Sequence, residues 1–168
     1  MKFVKFLNII IFAVLVVLLD VSFFSNITFC ETSILSSLVF LNLIALFTPS
    51  QSNILIVTLT ISLAFVAFSS LPLLLIGILF FGWPNLLWYF KTEHFRELSY
   101  ILMASFFLIS NIVFELVFLG YVSFAGRSWG NTLLIQFVAF VVANTTLGFL
   151  LSLVVNKLKK SFAPAKLT

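Results

Sequence analysis

The stretch 54–90 runs for 37 residues without a charged side chain. At 1.5 Å per residue a single helix of that length would reach about 55 Å, against roughly 30 Å of bilayer hydrocarbon. It therefore has to turn. Ser69, Ser70, Leu71 and Pro72 supply the turn, because proline opens a helix well and holds the residue before it out of helical geometry. One uninterrupted apolar tract thus predicts a helical hairpin in an apolar solvent.

The rest of the chain reads the same way. Of 168 residues, 62% are apolar and 8% charged, with a mean hydropathy of +1.27, so a globular core has no polar surface to cover it. Polar punctuation at 20–33, 48–53, 91–97 and 120–130, with the turn at 69–72, divides the sequence into six apolar segments, about 3–19, 34–47, 54–68, 72–90, 98–119 and 131–155. This predicts an all-α membrane protein of about six transmembrane helices, one domain over 1–156 and a basic tail over 157–168. No room remains for a nucleotide-binding domain, a nucleic-acid reader or an aqueous catalytic domain. The segment 3–19 reads as a retained anchor, since Phe23, Phe24, Ile27 and Phe29 crowd the place where a signal peptidase needs small residues.

Charge sets the expected orientation. Lys2, Lys5, Lys91, Arg96, Lys157, Lys159, Lys160 and Lys166 fall at chain ends or in one connection, whereas Arg127 stands apart. Six spans with both termini cytoplasmic place eight Lys or Arg inside and one outside, and five spans give six against three, so the six-span frame is favoured. Trp83, Trp88, Tyr89 and Tyr100 flank the inner connection, and Tyr121 and Trp129 the outer one, as amphipathic rings do at an interface. Pro84 predicts a kink or an end near Gly82, and an end there would make 83–98 an interfacial helix.

Few residues are candidates for chemistry. Glu115 is the one acid deep within a predicted span, one turn after Asn111 on the same helix face. Gln136, Asn144 and Gly148 lie near one stripe of the last span and are expected to meet that face, either as a substrate, proton or partner contact or as a polar seam that sets helix register. Lys157, Lys159 and Lys160 are candidate cytoplasmic or lipid contacts. His94 has too few neighbours for a metal site, Asp20 reads as a boundary residue, and the Gly126–Gly130 spacing falls in a loop. Asn26 and Thr28 form a sequon, and Cys30 cannot pair within the chain. No nucleophile–base constellation, phosphate loop, metal set or cofactor motif appears, so the expectation is a non-enzymatic protein without cofactor.

The last third carries a family pattern. Ser110, Asn111, Ile112, Val113 and Phe114, followed by Asn144 and an apolar run to Lys157, Lys159 and Lys160, resemble the last two spans of the rod shape-determining protein D (MreD) family. The likeness in length, span number and basic end covers the whole chain. It implies a multi-pass scaffold in the bacterial cytoplasmic membrane, a subunit of the cell-wall elongation machinery. The partners it implies are the bitopic protein MreC, the actin-like protein MreB, peptidoglycan synthases and membrane lipid. The alternative is a substrate-binding component of an energy-coupling vitamin transporter, which shares the size and helix number. Span one, however, has only Ala13 as a small residue with which to dock an energising module.

Overall fold

The computed structural model describes residues 2–22, 28–29, 32–95, 98–124 and 131–161. Asn26, Cys30, Glu31, Arg96, Glu97, the connection 125–130 with Gly126, Arg127, Trp129 and Gly130, and the tail after Ser161 lie outside them. The protein is all-helical apart from a two-residue antiparallel ladder that pairs Thr28 with Ser33 and Phe29 with Thr32. The helices are α1 (Lys2–Ser22), α2 (Ser36–Phe47), α3 (Gln51–Phe68), α4 (Leu73–Ile76), α5 (Trp83–His94), α6 (Tyr100–Phe124) and α7 (Asn131–Ser161). A π-helical segment, Gly77–Gly82, joins α4 to α5.

Among the described residues four helices are long and apolar enough to cross a bilayer: Gln51–Phe68, Leu73–His94, Tyr100–Phe124 and Leu133–Lys159. The apolar stretch Ile10–Ser22 of α1 and the helix Ser36–Phe47 are shorter. Large apolar side chains point outward all around the bundle, Leu74 and Ile101 being 78% and 80% exposed. In water such a surface would aggregate; against acyl chains it is at no disadvantage. This chain is a multi-pass membrane protein.

The predicted turn at 69–72 is present. Ser69 ends α3 by returning its N–H and its hydroxyl to the Phe65 carbonyl, at 2.9 and 2.7 Å, and Pro72 caps α4 in extended geometry. Of the two outcomes expected at Pro84, a kink or an end near Gly82, the end is absent, and the helix runs on through Pro84 to His94. The reason is the π segment just before it. Wider i→i+5 bonding, as from the Trp83 N–H to the Ile78 carbonyl, makes room for a ring that would crowd an α-helical turn. Asn85 then gives its side-chain N–H to the Phe81 carbonyl at 2.7 Å. Residues 83–94 are therefore the continuation of a membrane-length helix.

Other boundaries differ from the sequence expectation, α1 among them, which runs through Asp20 to Ser22 instead of ending at 19. Helix α6 continues through Gly120 to Phe124, because one glycine costs an otherwise apolar helix only about 1 kcal/mol. Helix α7 continues past 155 to Ser161.

Helix α2 is the hub, touching α1, α3, α5, α6 and α7. Its 12 residues span only about 18 Å. Two clusters of buried side chains surround it. One, around Ala45, Leu46, Ile54, Met103 and Phe107, lies at the end that carries Lys91 and Lys159. The other, around Leu38, Leu41, Phe65, Phe80 and Phe114, lies toward the opposite end.

Candidate functional site

A helix as short as α2 inside an apolar layer has a problem at its start. Its first backbone N–H groups have no helical partner, and partial burial leaves little water to accept them. Its capping residue is Leu35, which has no side-chain acceptor. Two other helices supply what is missing. Asp20, at the end of α1, accepts the Ser36 N–H at 2.6 Å, the Ser37 N–H at 2.7 Å and the Ser36 hydroxyl at 2.5 Å. Asn144, from the middle of α7, accepts the Leu35 N–H through Oδ1 at 3.0 Å and fixes its own amide by donating to the Phe140 carbonyl at 3.0 Å. Three consecutive donors are satisfied by side chains from two helices. The carboxylate also faces the positive end of the helix dipole. Asp20 is thus a buried cap for another helix rather than a boundary residue.

The opposite end of α2 is held in the same manner. Lys159 donates to the Phe47 carbonyl at 3.0 Å with its ammonium 5.6 Å from the Phe47 ring, and Trp88 donates to the Thr48 carbonyl at 3.0 Å. Lys159 is therefore engaged within the fold. Lys157 is exposed, and Lys160 lies in the last turns of α7. His94 is exposed, stacking on Phe90 at 4.4 Å.

Between these ends runs a polar seam. Ser110 donates to Asn42 Oδ1 at 2.8 Å and accepts from the Trp83 indole at 3.1 Å, linking α6, α2 and α5. Asn111 donates to the Thr145 hydroxyl at 2.9 Å, joining α6 to α7. Its partner is thus the neighbour of Asn144 and not Asn144 itself. Asn111 Oδ1 and Asn42 Nδ2 are buried without a partner. One turn along α7, a Cβ on Gly148 would overlap the Phe107 ring, so the two antiparallel helices meet there with no space to spare.

Glu115 and Gln136 are placed elsewhere, in a cavity of about 370 Å³ at the end of the bundle opposite Lys159. Leu35, Leu71, Leu119, Leu133 and a set of phenylalanines form its walls. Glu115 is 7% exposed and makes no hydrogen bond or ion pair with another described residue. Among the described residues no group of three or more His, Cys, Asp or Glu could hold a metal ion.

The structure therefore separates the four polar residues that the sequence places on one seam. Asn111 and Asn144 bond to different helices, and Glu115 and Gln136 share a cavity. The roles of Asp20, Asn42 and Ser110 were not foreseen, although Asp20 closing one apolar helix and a serine pair opening the next was a visible signal. Comparison with family models, with curated proteins and with solved structures finds no match.

Proposed function

We propose that this chain is a non-enzymatic scaffold subunit of the bacterial cell-wall elongation machinery, similar to the rod shape-determining protein D family. In this reading it crosses the cytoplasmic membrane six times with both termini inside. The observation that carries the reading is a groove of about 430 Å³ on the outer face of α1, α2 and α3. Phe12, Phe40, Ile44 and Val57 line it, and the exposed amides of Asn8 and Asn53 flank it. Amides turned outward beside an apolar groove suit a second transmembrane helix, since helices in lipid associate through close packing and such hydrogen bonds. A bitopic partner of the MreC kind meets that description. The interlocked polar bonds at α2 support it further, because a rigid bundle presents a fixed docking face.

The test is purification of the tagged chain in mild detergent from its own host, with mass spectrometry of what remains bound. Recovery of a bitopic coiled-coil protein with peptidoglycan synthases is the expected result, reduced when Asn8 and Asn53 are both replaced by leucine. Recovery of ATPases with a coupling subunit would overturn the reading in favour of solute uptake.

A further inference from the structure

The cavity at the end opposite Lys159 is distinct from the polar contacts that hold the helices and from the groove on α1–α3. Five of its lining residues are Phe65, Phe80, Phe114, Phe118 and Phe140. Phe65 and Phe80 stack at 4.1 Å, Phe80 meets Phe114 edge to face at 5.4 Å, and Phe114 stacks with Phe140 at 5.9 Å. This continuous aromatic surface is fixed by packing. Set in it is Glu115, more than nine-tenths buried and bonded to none of the described residues. No Lys, Arg or His is among the residues that line the cavity.

Ionisable groups inside a membrane bundle face its interior or a cavity and almost always pair with another polar or charged group, and aromatic faces attract cations through their quadrupole. A pocket of a few hundred cubic ångströms with mostly apolar walls and few polar groups is also the usual form of a small-molecule site. We infer that the cavity binds a lipophilic organic ammonium ion, its charged nitrogen against Glu115 and its apolar body against the phenylalanine walls. The site rests on the cavity alone and stands whether or not the chain is a scaffold.

The test uses the full chain in lipid nanodiscs and equilibrium dialysis against naphthylethylamine and its uncharged isostere naphthylethanol, with empty nanodiscs subtracted. The amine is expected to bind saturably and about tenfold or more tighter than the alcohol, the gain of one charge-assisted contact. Glu115→Gln, checked for unchanged elution and helicity, is expected to remove most of the amine's advantage over the alcohol. Should that variant not fold, Phe118→Leu at the half-buried part of the wall is expected to lower the amine-to-alcohol ratio several-fold. Equal binding of both compounds by the unmodified chain overturns the proposal, whether they merely partition into lipid or an acyl chain already fills the cavity. A preference for the amine that Glu115→Gln does not diminish overturns it as well.

Discussion

Replacing Asp20 by alanine tests the central structural claim, that α2 is capped from outside its own sequence. The substitution removes the acceptor for the backbone N–H groups of Ser36 and Ser37 and for the Ser36 hydroxyl, and the apolar surroundings offer no substitute. Each buried donor left without a partner costs about 1–3 kcal/mol, and loss of a helix N-cap by itself costs about 1 kcal/mol. The two donors together predict a destabilisation of about 3 kcal/mol, roughly a hundredfold in the folding equilibrium. Asp20→Asn keeps one oxygen in place and is expected to lose about half as much. The assay is reversible unfolding of the purified chain in mixed micelles of rising dodecyl sulfate fraction, read by near-ultraviolet circular dichroism. Ser70→Ala, in the exposed turn after α3, is the control and should stay within about 0.5 kcal/mol of the unmodified chain. If Asp20→Ala unfolds no more readily than Ser70→Ala, the capping argument is refuted.

Three further expectations use the same assay. Asn144→Leu leaves the Leu35 N–H unpaired and should cost about 1–3 kcal/mol, whereas exposed His94→Ala should be near neutral; equal behaviour of the two would count against the role assigned to Asn144. Asn111→Leu should cost about 1 kcal/mol or less, because it gives up one bond to Thr145 while also removing a buried oxygen that has no partner; a loss as large as that of Asn144→Leu would contradict this. Gly148→Ala should destabilise by about 1–3 kcal/mol through overlap with the Phe107 ring, and Phe107→Leu in the same chain should recover part of the loss, so strictly additive effects would rule out the contact as the cause.

Much of the bundle was legible in the chain itself. Turn positions follow from Ser69 and Pro72, since a proline's missing donor and fixed φ act locally whatever surrounds them. The membrane setting follows from hydropathy, which sums over residues and needs no partner. Pro84 is the instructive exception. Its local rule predicts a kink or an end, and the fold meets the rule by widening the preceding turn into a π segment, from which Leu79 and Phe80 are buried in the core.

What the sequence determined by itself, then, is the solvent, the helical class and the places where the chain turns, because each depends on the composition of a short window. Only the tertiary structure decided which polar group meets which. Asn144 and Asn111 look alike as amides in apolar spans, yet one caps α2 and the other joins α6 to α7. The difference lies in a rotation of α7 that turns neighbouring residues to different partners. Asp20 became a cap because α2 begins 16 residues later within reach of its carboxylate. Among the described residues Glu115 is left without a bond, and the phenylalanine rings packed against one another beside it form the walls of its cavity.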